Sequence, residues 1–501
     1  MLVTRPKVEV HRLVLLSAES IRRTFPLRFA LAFLLAVPVL IVAAESPSTR
    51  PNILFILSDD QGYADIGYRS AEIKTPHLDR LAASGVRLEH FYVQPVCTPT
   101  RAAFMTGRYP LRLGLQLGVI KPESSHGLSL TARLLPQALH DAGYFTAIAG
   151  KWHLGNGAPE YLPTARGFDH QYGFYLGMTD YFTHEREGGL DWHRGDHGLR
   201  EEGYATDLIA NEAIALIEKH GGGPKPFFLY VAFNAPHTPL QATEPWLARY
   251  AHIADKKRRT HCAMIANMDD AIGRIVAVLE RMKLSENTPI VFSSDNGANT
   301  PTGDNTPLRD QKGSVYEGGV RVPAFASWPG RLPAGRLVTQ PLHIVDWHPT
   351  LLRLAGAKAA PGVTLDGRDL WSVLLGETKP LHDDILINAA PGTGALRRGD
   401  WKLVVNGQLK FKGATPDANF SWADLLRESN LPAADAARTQ IELFNLADDP
   451  GEKHNLAAAH PEVVRELTAR YETYARDAVP LVGGDTPPGF KVPAVWGERG
   501  R

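Results

Sequence analysis

Cysteine is scarce in this chain of 501 residues, with only Cys97 and Cys262. A disulfide framework is thereby excluded. Net charge is lacking too, since 54 Lys+Arg face 54 Asp+Glu for a formal total of +0. Without a basic excess the chain has no long-range attraction for nucleic acid, and an anionic ligand must be met by a few local cations. There is no internal repeat and no low-complexity tract, which removes solenoids and disordered tails. No stable membrane span is expected: the apolar run Phe29 to Ala44 falls short of the roughly 20 residues a bilayer asks for and contains Pro38.

What that run does resemble is an export signal. Arg22, Arg23 and Arg28 lead into it, and Val42-Ala43-Ala44 closes it with small residues of the kind a signal peptidase accepts. Residues 1–44 are therefore expected to be a signal peptide. With two thiols and no disulfide framework, the exported protein suits a bacterial periplasm or extracellular surface.

The full chain has 44% hydrophobic residues, 45 Gly and 37 Pro, and beyond Asn52 the texture is that of a packed enzyme-sized core. Apolar runs alternate with amphipathic stretches, which predicts an α/β fold: a large, mostly parallel sheet between helices. The clearest strands are Ile53 to Leu57, Phe227 to Val231 and Ile290 to Phe292. The clearest helices are Ala132 to Asp141, Tyr204 to His220, Lys256 to Met282 and Pro461 to Ala475. After about Thr378 short strand signals such as Trp401 to Val405 take over. A catalytic domain over 45–380 and a smaller C-terminal α+β subdomain over 381–501, with a short antiparallel sheet, are expected.

Two strands end alike. Ile53 to Leu57 runs into Ser58-Asp59-Asp60, and Ile290 to Phe292 runs into Ser293-Ser294-Asp295-Asn296. Carboxyl ends of parallel strands share one edge, so these acidic groups can meet there. Crowded carboxylates repel unless a cation holds them, and an oxygen-rich, irregular set suits Ca²⁺ better than Mg²⁺. Singly, each pair reads as a turn or helix cap; the repetition favours metal. Cys262 falls on the apolar face of a helical pattern and reads as a small core residue. Cys97 does not: Cys97-Thr98-Pro99-Thr100-Arg101 is polar and proline-broken, and packing gives such a thiol no reason. Lys151 and His153, two apart, would point the same way from an extended segment, with Trp152 opposite. His237 follows the strand Phe227 to Val231, and Lys312 precedes Gly313 in a loop that can approach a ligand closely.

These residues carry a resemblance. Asn52 to Asp60, Cys97-Thr98-Pro99-Thr100-Arg101 with Thr106-Gly107-Arg108-Tyr109, Gly150 to Gly155 and Tyr316 to Arg321 resemble the formylglycine-dependent (type I) sulfatases of the alkaline-phosphatase superfamily, most of all their arylsulfatase B (N-acetylgalactosamine-4-sulfatase) branch. The resemblance runs from about Pro51 to Trp496. One departure is Thr100, where the family usually has Ser; the hydroxyl is kept and a methyl added.

The resemblance implies that a formylglycine-generating enzyme oxidises Cys97 to 3-oxoalanine (formylglycine), whose hydrate is the nucleophile. It implies one Ca²⁺ held by Asp59, Asp60, Asp295 and Asn296 together with an oxygen of modified Cys97. Arg101 and Lys151 are implied to stabilise the charged hydrate, and His153 to take its proton. His237 and Lys312 are implied to contact the sulfate, with His237 the first choice to protonate the leaving sugar oxygen. His184 and Glu185, in Asp180 to Arg186, match a stretch that lines the sugar pocket. The expected substrate is a sulfated carbohydrate such as 4-sulfated N-acetylgalactosamine, within glycosaminoglycans. Two alternatives stand beside this: a phosphomonoesterase or phosphodiesterase of the same superfamily, and an inactive sugar-binding relative. The first usually needs a second His and Asp ligand set for zinc, which the sequence does not offer.

Overall fold

The computed structural model describes residues 50–116, 118–390, 393–407, 440–483 and 486–498; the expected signal segment 1–44 lies outside them. Within Ser46–Arg501, one compact unit, strand β1 (Ile53–Ser58) lies at the centre of a ten-stranded sheet. The other strands are β2 (Val86–Leu88), β3 (Phe145–Lys151), β4 (His170–Phe174), β5 (His193–Arg194), β6 (His197–Gly198), β7 (Phe227–Ala232), β8 (Ile290–Ser294), β9 (Ala324–Ser327) and β10 (Arg336–Val338). Their order across the sheet is β10-β2-β9-β8-β1-β7-β3-β4-β5-β6. The central run β8-β1-β7-β3-β4 is parallel throughout, and β9, β5 and β6 run antiparallel to their neighbours.

The unbroken apolar runs follow from burial on both faces. Along β1, Ile53, Phe55 and Leu57 enter one core, whereas Leu54 and Ile56 enter the other. Along β7, Phe228 and Tyr230 divide from Leu229 and Val231 in the same way. Each such side chain removed from water contributes about 1.5–3 kcal/mol. That burial offsets the cost of the charges buried at the strand ends. Helices α1 (Pro76–Ala83), α4 (Ala205–His220) and α5 (Lys256–Arg281) cover one face, and α2 (Cys97–Thr106) and α3 (Leu135–Asp141) the other. Cys262 is fully buried on α5 in a satellite cluster with Ile73 and Tyr250, as its sequence pattern suggests.

Two differences from expectation have local causes. The helix expected from Ala132 starts at Leu135, because Leu134 is extended (ψ 158°) and its N–H donates to Gln137 Oε1 at 2.8 Å, which caps the first turn. Conversely, Pro99 does not break its segment. It occupies the first turn of α2, where a missing N–H costs nothing.

The C-terminal part forms a second sheet of four antiparallel strands, β11 (Ile385–Ala390), β12 (Thr393–Arg398), β13 (Trp401–Val405) and β14 (Ile441–Asn445). Helix α6 (Pro461–Ala475) packs against β11 and β12.

Candidate active site

Register brings the two acidic strand ends together. Ser58 of β1 pairs with Ser294 of β8, so Asp59 and Asp295 leave adjacent strands at one level. Crossed backbone bonds hold them: Asp295 N–H donates to Ser58 O (3.1 Å), and Asp60 N–H to Asp295 Oδ1 (3.2 Å). Asp60 has φ 67°, a left-handed kink that sends consecutive aspartates to different partners. Behind Asn296, Gly297 cannot be replaced, since a Cβ there would lie 1.8 Å from Gly318 O.

Three cations are set against the three carboxylates. Lys151, at the end of β3, donates to Asp59 Oδ2 at 2.6 Å. Arg101, fully buried on α2, donates to Asp295 Oδ2 at 2.8 Å and lies 3.8 Å from Asp59 Oδ2. Lys312 donates to Asp60 Oδ1 at 2.5 Å. Burial, then Asp295, pushes the Asp59 carboxyl up to about 8, against Lys151 and Arg101. Asp60 is also pushed up by burial, but Lys312 and His237 overcome this and hold it well below the usual carboxylate range. Asp295 is likewise held down against its burial, chiefly by Arg101 and Lys151.

Cys97 is buried at the first turn of α2, where the helix dipole favours negative charge. Ligand atoms of Asp59, Asp60, Cys97 and His237 all lie within 4.8 Å of one another. His237 Nδ1 donates to Thr238 O (2.6 Å), which leaves Nε2 as the atom facing Asp60 Oδ2 at 3.7 Å. Asn296 donates to Asp60 Oδ1 at 2.7 Å, while its own Oδ1 is buried without a hydrogen-bond partner. Asp59 Oδ1 is buried and partnerless as well. Two orphaned oxygens beside a carboxylate that burial keeps from ionising are what a hard cation would satisfy, so the residues present fit a Ca²⁺ site.

Other expectations are modified. Lys151 and His153 do not share an extended segment: His153 has φ 58°, and its Nε2 donates to Ile120 O (3.1 Å) rather than following Lys151 toward Asp59. Trp152 does turn into packing, at 1% exposure. The placement of His184 on the wall of a sugar pocket is corrected: it is 1% exposed, stacks on Trp192 at 4.5 Å and offers a ligand no surface. Glu185 pairs with Arg200, and Phe182, 45% exposed, and Thr183 are the open side chains of that stretch. Thr100 keeps the work of a serine hydroxyl, accepting from Gln94 N–H (2.9 Å) and donating to Gln94 O (3.2 Å). Sequence reading missed Asn299, whose Nδ2 donates to Asp60 Oδ2 at 3.1 Å; it lies in an irregular loop where no periodicity marks it.

The buried acids, cations and thiol gather at the carboxyl edge of a mostly parallel sheet, where such folds bind their ligands, and the cations suit an anionic one. The sulfatase family profile matches residues 51–357, and the chain belongs to that family, the sulfuric ester hydrolases. Arylsulfatase J of Mus musculus is 36% identical over 468 residues, covering 88% of this chain and 78% of that protein. N-acetylgalactosamine-6-sulfatase of Canis lupus familiaris is 32% identical, covering 87% of this chain and 88% of that protein. Among solved structures, Ps i-CgsB in complex with k-i-k-neocarrahexaose aligns with TM-score 0.76 at 33% identity, over 86% of this chain and 94% of that one. The PsFucS1 sulfatase from Pseudoalteromonas sp. aligns with TM-score 0.69 at 26% identity, over 85% and 90%.

Proposed function

We propose that this chain is exported by removal of residues 1–44 and hydrolyses sulfate monoesters of a carbohydrate, with Cys97 converted to formylglycine and one Ca²⁺ bound. The observation that carries the reading is the meeting of Cys97 with Asp59, Asp60 and His237 within 4.8 Å. Support comes from the orphaned Asp59 Oδ1 and Asn296 Oδ1 beside them. Asp59, Asp60, Asp295 and Asn296 would hold the cation, with residue 97. The groups absent from the structure supply an oxygen nucleophile from the aldehyde hydrate and countercharge from the cation.

The chain's own side chains do the rest. Lys151 and Lys312 bring positive charge to a sulfate that the neutral protein does not attract at long range. Arg101 holds the Asp295 carboxylate ionised. His153, kept neutral by burial and then by Lys151 and Arg101, accepts a proton. His237, through Nε2, donates one to the leaving sugar oxygen.

The carbohydrate reading draws on the saccharide in the Ps i-CgsB structure and on the N-acetylgalactosamine-6-sulfatase relatives. Within it, the resemblance to arylsulfatase B favours 4-sulfated N-acetylgalactosamine. The test pairs a peptide mass spectrum across residue 97 with sulfate release from mono- and disaccharides sulfated at the 4 or the 6 position. Aldehyde at 97 with release from the 4-sulfated sugar is expected. An active enzyme whose residue 97 is still a thiol would overturn the nucleophile, and release only from 6-sulfated sugars would overturn the position.

A further inference from the structure

His153 sits in a cradle made by groups to which no role has yet been given. A carbonyl oxygen only accepts, so the 3.1 Å contact between His153 Nε2 and Ile120 O places the ring proton on Nε2. In a neutral ring the lone pair is then on Nδ1, which is buried without a hydrogen-bond partner. Burial first, and then the neighbouring cations Lys151 and Arg101, disfavour a second proton in the resting site.

The Ile120 backbone is itself held, through its N–H. Thr98 Oγ1 accepts from Ile120 N–H at 3.2 Å and donates to His153 O at 3.1 Å. One hydroxyl thus ties the backbone of the histidine to the backbone of the residue its ring must reach. His153 N–H donates to Tyr175 O at 3.0 Å, which fixes the third side of the cradle. On that side lies Gly177, where a Cβ would fall 2.7 Å from His153 Cε1 and 2.8 Å from Nε2. No positive φ is imposed there, so the glycine answers to the space the imidazole takes and not to a backbone need.

We infer that Thr98 and Gly177 are positioning residues for His153, holding its ring in the tautomer that leaves Nδ1 as the proton acceptor. The inference rests on the sulfatase reading for what the proton transfer serves. Thr98 neighbours the nucleophile in sequence, yet its hydroxyl is spent on the base. Gly177 comes from the segment after β4 and has no part in the Cys97 signature.

The test uses Thr98→Val, Thr98→Ser and Gly177→Ala in the full chain, with turnover expressed per aldehyde found at residue 97. Thr98→Val and Gly177→Ala should lower kcat about 100-fold, the cost of misplacing a reacting group by an ångström or so, with little change in KM. Thr98→Ser should restore most of the rate. Nitrogen-15 histidine NMR supplies the second arm, with the His153 signals assigned by their loss in His153→Gln. The wild type should show the Nε2–H tautomer alone, and both disruptive variants a mixture. That measurement needs neither maturation nor turnover, so it decides the positioning even in a preparation inactive on every ester. Wild-type kcat in both disruptive variants, a loss confined to KM, or an Nδ1–H ring in the wild type would overturn the inference.

Discussion

Two of the buried charge clusters among the described residues are finished to different degrees. At the carboxyl edge of the large sheet three carboxylates meet three cations, yet Asp59 Oδ1 and Asn296 Oδ1 are left without partners. Between that sheet and the smaller one, Lys402 Nζ lies 2.9 Å from both Glu317 Oε1 and Glu452 Oε1. There Glu317 Oε2 accepts from Tyr92 OH (2.8 Å), and Glu452 Oε2 accepts from Glu317 N–H (2.7 Å). Glu452 Oε1 makes no hydrogen bond but faces the Lys402 ammonium at 2.9 Å, so every carboxylate oxygen of the second cluster has a donor or a counter-ion. Its work is to join β13 and the Glu452 loop to the short helix Glu317–Val320, the segment that presses on Gly297. The first cluster is left incomplete toward a ligand; the second is closed. Buried charge alone does not mark a site, but buried charge with lone pairs to spare does.

The largest expected effects separate the clusters by what is lost. Asp295→Ala should abolish turnover and bound calcium while circular dichroism stays near native. Full calcium by elemental analysis in that variant would remove Asp295 from the ligand set. Lys402→Met should do the opposite and destabilise the fold by about 3–5 kcal/mol, because two buried glutamates lose their shared partner. Denaturant unfolding measures it; a loss below about 1 kcal/mol would mean the closed cluster is not the joint described here.

A smaller effect tests the division of labour inside the open cluster. His237→Ala should cost about 10²–10⁴-fold on a sulfated sugar, whose leaving oxygen needs a proton, and less on an aryl sulfate, whose leaving group does not. Equal losses on both substrates would assign His237 to sulfate binding only.

How much of this was legible follows the same division. The acidic ends of β1 and β8 could be paired from sequence because each follows an apolar strand, and parallel strands end together. Cys97 stood out because nothing about packing accounted for it. The closed cluster was invisible, since Glu317, Lys402 and Glu452 come from three distant segments that only tertiary contact joins. The cradle of His153 was hidden for another reason: it depends on φ 58° at the histidine and on a methyl group that Gly177 lacks, neither of which has a periodicity. His184 misled because a matched motif carries residue identity but not burial, and Trp192 covers its ring.

The smallest expected effect concerns acidity in the closed cluster. Burial first, with Glu317 adding to it and Lys402 opposing, raises the Glu452 carboxyl to about 7. A group that binds its proton more tightly folded than unfolded stabilises the fold fully below its unfolded value near 4.5. It loses that contribution as pH rises through about 7. Over this window the wild type should therefore lose stability with rising pH, at up to about 1.4 kcal/mol per unit from this one group. Glu452→Gln keeps the shape and the acceptor oxygen but cannot titrate. Urea unfolding at intervals between pH 4.5 and 7.5 should show a flatter profile for the variant, with the two curves close together at the acid end, where the wild type carries its protonated, better-tolerated glutamate, and drawing apart as the pH rises toward 7. Parallel curves would place the proton elsewhere in the cluster. Glu317 would not take its place, because Lys402, Arg321 and Arg397 together hold that carboxyl down to about 2, below the window, in spite of its burial.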